Sequence, residues 1–119
     1  MTNDTCVTIA PYFQIKPGQA DAFRELTSRF IARAETEEKI LYYGFSYNGD
    51  QAHCREGYAD AEGALHHLQN VGALIEESGQ YADIVRLEVH GIAAELDQLR
   101  DPLKDMPVEW FTLESGFRK

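Results

Sequence analysis

Two adjacent histidines, His66 and His67, sit in the stretch REGYADAEGALHHLQNVG, Arg55 to Gly72. Histidine is the side chain whose proton comes and goes near neutral pH. An imidazole placed against a phenol or hydroquinone could take its proton and leave an electron-rich anion that reacts with oxygen. Helical phase separates the pair. With Leu68 at the centre of a stripe shared by Ala61, Ala64, Leu65, Val71, Gly72 and Ile75, His67 falls on the flank beside Val71 and Leu74. His66 points to water with Glu62, Gln69 and Asn70. His67 is therefore the candidate catalytic residue, expected at the lip of whatever the helix covers. The plain alternative is a half-buried histidine bonded to a backbone carbonyl.

The other candidates lie on strands. His53 has Tyr12, Tyr42, Tyr43 and Tyr47 on neighbouring strands, and Tyr58 ends its own strand. Tyrosine lines ligand pockets because it joins a flat apolar body to a hydroxyl, and it lines dimer interfaces for the same reason. Tyr12, Tyr42, His53 and Tyr58 are the substrate-binding candidates. His90 shares a strand face with Arg86 and Glu88, which reads as an ion-pair lattice. Arg55 and Glu56 read as structural, and Glu35-Thr36-Glu37-Glu38 as a solvated helix end. Cys54 has no local base to activate it. Direct neighbours on a helix cannot converge on one ion, so His66 and His67 make no metal site. Cys6 and Cys54 have no metal-type spacing and read as buried free thiols. No GxGxxG, P-loop, HExxH or GxSxG motif occurs. No metal and no cofactor are expected.

The elements that must position these residues follow from pattern. Val7 to Ile15 alternates as a strand, with Pro11 marking an edge or a bulge. Lys16-Pro17-Gly18 is a turn, and a helix runs from about Gln19 to about Glu37 on the stripe Phe23, Leu26, Phe30 and Ala34. Glu37 is assigned to its wet side. Ile40 to Tyr47 and Gln51 to Tyr58 are strands joined by Asn48-Gly49-Asp50, a hairpin signal. Asp60 caps a second helix that reaches about Glu77. Ala82 to Ile92 is a fourth strand, with Ile84, Arg86, Glu88 and His90 on one face. The order is β-α-β-β-α-β, the ferredoxin-like split βαβ arrangement, an α+β fold with an antiparallel sheet and both helices on one side. The other sheet face is left bare and apolar. Its natural cover is a second copy of the chain. A C-terminal extension, residues 93–119, adds a short helix and a fifth strand from Val108 to Leu113, which could extend the sheet or cross to a partner.

At 119 residues the chain makes one domain, with its core over about residues 7–92. Net charge is −9, which argues against a nucleic-acid partner, since a phosphate backbone calls for a basic face. No apolar run approaches the roughly 18 residues of a membrane helix, and the N-terminus lacks a signal peptide's pattern. The expectation is a soluble, cytoplasmic protein without a membrane partner.

Glu56-Gly57-Tyr58 followed by Asp60-Ala61-Glu62-Gly63-Ala64-Leu65-His66-His67 resembles the antibiotic biosynthesis monooxygenase (ABM) type domain of the dimeric α+β barrel proteins. There, a strand ending E-x-aromatic leads into a helix with a histidine seven residues after its cap, the separation of Asp60 and His67. The opening strand with its Pro17-Gly18 turn is similar too, and the likeness spans about Val7 to Ile92. It implies a homodimer packed through the sheet faces and a cavity between sheet and helices in each protomer. It also implies, for some members, oxidation of aromatic polyketides by oxygen without a cofactor. Other members degrade haem, with the helix histidine on iron and an asparagine and a tryptophan nearby. This chain has Tyr58 where tryptophan is common, its one tryptophan, Trp110, in the extension, and no asparagine on the first strand. The leading expectation is a cofactor-independent monooxygenase for a small aromatic or polyketide-like substrate, with His67 as base. The alternative is a small-molecule-binding or stress-associated dimer without turnover. Haem binding through His67 ranks third.

Overall fold

The computed structural model describes residues 2–119. Its elements are β1 (Val7–Ile15), α1 (Ala20–Ala34), β2 (Ile40–Asn48), β3 (Gln51–Tyr58), α2 (Ala61–Asn70), α3 (Gly72–Ser78), β4 (Ala82–Gly91), α4 (Ala93–Arg100) and β5 (Glu109–Thr112). The sheet order is β2-β3-β1-β4-β5. The first four strands pair antiparallel, and β5 joins β4 in parallel. The split βαβ unit is thus present, and the extension lengthens its sheet into a mixed, five-stranded one. Among the described residues no helix is long and apolar enough to cross a membrane.

Local chemistry explains the joints. Tyr47 pairs with Ala52 and Asn48 with Gln51, so Gly49-Asp50 closes a two-residue hairpin. Gly49 has φ 61°, a conformation that glycine adopts at no steric cost. The Asp60 carboxylate accepts the Gly63 amide at 2.9 Å and pairs with Lys39 Nζ at 2.8 Å, which anchors the start of α2. Glu95 of α4 accepts the Ala61 amide at 2.9 Å, tying the extension to the same helix end.

Three expectations about elements need correction. The helix expected from Asp60 to Glu77 breaks at Val71, which has φ −107° and ψ 8°. Arg33 Nη1 donates to the Asn70 carbonyl at 3.0 Å, and Asn70 Nδ2 donates back to the Arg33 carbonyl at 3.1 Å. That cross-tie to α1 takes an acceptor a continuous helix would use, and Val71 turns into the core with Leu26 and Phe30. Pro11 marks no edge, because β1 is the central strand. The irregularity lies opposite, a register shift between β1 and β4 at Tyr12/Phe13. The same shift re-aims β4. Val85 is left out of the pairing and exposed, and Ile84 turns to the helix side with Leu87 instead of sharing a face with Arg86.

The helices cover one face of the sheet. Val7, Ile9, Tyr58, Leu87, Val89, Leu96 and Leu99 form the main core beneath α2 and α4. Phe13, Ile15 and Phe23 form a second cluster, and Leu26, Phe30, Val71 and Leu74 a third, both beneath α1. The other face carries Thr8, Tyr12, Tyr42, His53, Arg55, Arg86, Glu88, His90 and Phe111. No helix covers it.

Candidate active site

The capped first turn of α2 sets the phase that brings His67 round onto the sheet. The sequence expectation put it at a cavity lip, but it is only 2 % exposed. Its ring lies between those of Tyr43 and Tyr58, each centroid 5.1 Å away. Nδ1 faces Glu37, 2.8 Å from Oε2 and 3.1 Å from Oε1. Asn70 Nδ2 donates to the same Oε2 at 2.9 Å. Glu37 is therefore no part of a solvated helix end. It is 6 % exposed, turned inward where its amide bonds the Ala34 carbonyl at 3.0 Å.

On the other side stands Glu56, which the sequence expectation left as structural. Strand alternation puts it on the helix-facing side of β3 with Cys54 and Tyr58, and it is 4 % exposed. Tyr58 donates its hydroxyl to Glu56 Oε1 at 2.6 Å. The same oxygen lies 3.5 Å from His67 Nε2. Glu37, His67, Glu56 and Tyr58 thus form one buried polar line, and among the described residues no buried side-chain N or O lacks a partner.

Burial decides the protonation states. It pushes the Glu56 carboxyl up to about 8; Glu37 adds to the rise, and hydrogen bonds from Tyr58 and Cys54 work against it. Burial holds the His67 imidazole below its ordinary value, with Glu37 pulling the other way. Near pH 7 Glu56 therefore keeps a proton and His67 is neutral. Asn70 donates to the same Glu37 oxygen that Nδ1 faces, so that oxygen is an acceptor; His67 Nδ1 carries the hydrogen, and Nε2 presents its lone pair towards Glu56. Burial also raises the Cys54 thiol and the Tyr43 and Tyr58 phenols, so none of these ionises near neutrality.

A cavity of about 50 Å³ opens against this line. Tyr43, Cys54, Glu56, His67 and Ser78 supply its polar groups, and Ile9, Phe13, Phe30, Phe45, Leu68 and Leu87 much of its apolar wall. An acid and a base on one apolar wall can give a proton to one atom of a small molecule and take one from another. Among the described residues no group of three or more His, Cys, Asp or Glu could hold a metal ion. Haem ligation would need Nε2 of His67, which faces Glu56 in a space far smaller than a porphyrin.

Of the four substrate-binding candidates only Tyr58 joins His67. Tyr12, Tyr42 and His53 lie on the uncovered sheet face, across the sheet from the cavity. Tyr12 stacks on His53 at 4.3 Å. His53 Nδ1 lies 2.9 Å from the Pro11 carbonyl, where the pairing of β1 with β3 skips Ala10 and Pro11. Tyr42 meets Thr8 Oγ1 at 3.3 Å and takes the Arg55 guanidinium over its ring. His90 follows the expected lattice: Nε2 lies 2.8 Å from Glu88, which also pairs with Arg86. The signal for Glu37 was in the sequence. Phe23, Thr27, Phe30, Ala34 and Glu37 recur at steps of four and three, so Glu37 continues the buried stripe of α1. For Glu56 the signal was its shared face with Cys54 and Tyr58.

A ferredoxin-like sheet with a buried helix histidine seven residues after the cap places the chain: it belongs to the ABM-like proteins of the dimeric α+β barrel superfamily. It is 46 % identical to MupZ from Pseudomonas fluorescens, covering 96 % of this chain and 94 % of that one, with a TM-score of 0.91. A candidate antibiotic biosynthesis monooxygenase from Nitrosomonas europaea shares the fold at 12 % identity, covering 78 % of this chain and 95 % of that one, TM-score 0.69. Rv0793 from Mycobacterium tuberculosis does so at 18 % identity, 71 % and 89 % coverage, TM-score 0.62. No protein-family model matches the chain, and no curated protein does.

Proposed function

We propose that the chain is an acid–base enzyme of the ABM type, working without a cofactor on a small aromatic or polyketide-like molecule. One observation carries this: His67 is held between Glu37 and a protonated Glu56 at the wall of an apolar cavity. His67 Nε2 removes a proton from the substrate, and Glu37 steadies the imidazolium that forms. In the monooxygenase reading, the substrate anion passes electrons to oxygen and forms a C–O bond. Glu56 protonates the resulting peroxide. Loss of water then leaves one oxygen atom in a new carbonyl group and the other in water. The likeness to the Nitrosomonas protein supports this version.

A redox-neutral reading has its own support. A carboxyl that keeps its proton at pH 7 can protonate a substrate oxygen while His67 deprotonates a hydroxyl or an acidic carbon, which gives isomerisation or ring closure. We place this enzyme in a homodimer, joined through the uncovered face that carries Tyr12, Tyr42, His53 and Phe111. Tyr12 and Phe111 stand 37 % and 41 % exposed there, surface that a second copy would cover.

The test is oxygen uptake and product analysis over anthrones, quinols and phenols, with and without oxygen, for the wild-type protein, His67→Ala and Glu56→Gln. Uptake that falls about a hundredfold or more in both variants is the expected result. Turnover that persists without oxygen selects the redox-neutral reading. Binding with no turnover would leave a non-catalytic binding protein, and unchanged rates in His67→Ala would overturn the base assignment.

A further inference from the structure

The His67 cavity holds about 50 Å³, room for one or two waters, whereas small-ligand sites run to about 300–1,000 Å³. A second space lies on its outer side. A groove of about 330 Å³ runs between Leu65, Leu68, Gly72 and Ile75 on one bank and Leu103 and Met106 on the other. Leu68, Ile75 and Met106 line both spaces, so the two share part of a wall. Met106 is unbranched and repacks readily. It belongs to the irregular stretch between α4 and β5, while the opposite bank is interrupted at Val71. Gln69 is the one polar side chain along the groove, and no charged one lines it.

Resting on the acid–base reading above, we propose that the groove is the outer half of the same binding site. It takes the neutral alkyl chain of a substrate whose acidic, oxygen-bearing end reaches Glu56 and His67. Leu68, Ile75 and Met106 are the gate that parts to join the two spaces. The substrate class is then an elongated molecule with one polar end and an apolar tail, in preference to a compact ring.

Phenol, 4-butylphenol and 4-octylphenol test this, with binding followed by NMR of the His67 ring and the Met106 methyl. The variant is Gly72→Phe. Gly72 lines the groove and a Cβ there meets nothing within 4 Å, so a Phe side chain starts from the groove wall without a clash at its Cβ; Gly72→Ala is the control. All three phenols should move the His67 signal, and only the alkylated ones the Met106 methyl. 4-Octylphenol should bind at least about tenfold tighter than phenol, since each buried methylene adds affinity. Gly72→Phe should abolish that gain, bringing 4-octylphenol to within about twofold of phenol. A His67 response to every phenol with no dependence on chain length would overturn the groove and leave the acid–base site standing. So would a gain that survives in Gly72→Phe. No His67 response to any phenol would overturn both. A Met106 response without one at His67 would make the groove a separate site and end the proposal.

Discussion

His67 Nε2 faces Glu56 Oε1 across 3.5 Å, and the Tyr58 hydroxyl bonds that same oxygen from the other side at 2.6 Å. A lone pair and a carboxylic acid thereby face each other with no proton passed between them.

Stability should fall as pH rises above neutrality. Glu56 has a folded value raised to about 8 from an ordinary carboxyl value, so over that window the folded state holds a proton the unfolded chain has lost. His67 acts oppositely. Its folded value is lowered, so it favours folding as pH rises towards about 6.5 and has no further effect beyond. Urea unfolding should therefore show stability dropping by about 2 kcal/mol between about pH 6.5 and 8. Glu56→Gln should flatten that slope.

The rate should be bell-shaped in pH. The acid limb comes from protonation of His67 and lies below the ordinary histidine value, and the alkaline limb comes from loss of the Glu56 proton near 8. Tyr58→Phe removes a hydrogen bond that favours ionised Glu56, so the alkaline limb should move to higher pH. Its stability cost should be about 1 kcal/mol. A limb that stays in place in Tyr58→Phe would assign it to another group.

Glu37 is a positioning residue. Glu37→Gln should lower kcat about 10- to 100-fold with KM little changed, because the carboxylate bonded to His67 Nδ1 sets the imidazole tautomer and orientation. Glu37→Ala should add a loss of about 1–3 kcal/mol in stability, since His67 Nδ1–H and Asn70 Nδ2 lose a buried acceptor. A KM effect alone would instead place Glu37 in substrate binding.

The proposed dimer covers the Tyr12–His53 stack on the helix-free sheet face. Native mass spectrometry of the wild-type protein at micromolar concentration should show a dimer, and Tyr12→Glu should shift it to monomer. A wild-type monomer would contradict the interface.

The fold was legible because its signals are periodic. The apolar stripe of α1, the Asn48-Gly49-Asp50 turn and the alternation of β3 each depend on a few neighbouring residues. The break at Val71 was not, because it comes from the tie between Arg33 and Asn70, which are far apart in sequence. The site was half legible. His67 was singled out by helical phase and Tyr58 by its place at the strand end. Sequence alone reads Glu37 as solvated and Glu56 as structural, because neither buried partner is visible in it, although both occupy apolar positions in their own patterns. Tyr12, Tyr42 and His53 are candidates by their chemistry, and strand alternation alone does not say which face the helices cover.

The most direct test is an NMR titration of the wild-type protein that follows the Glu56 side-chain carboxyl carbon and both His67 ring nitrogens from pH 5 to 9. Glu56 should titrate near 8, with His67 protonated on Nδ1 alone at pH 7. A Glu56 carboxyl that ionises in the ordinary carboxylate range, or a His67 protonated on both nitrogens at pH 7, would contradict the acid–base pair.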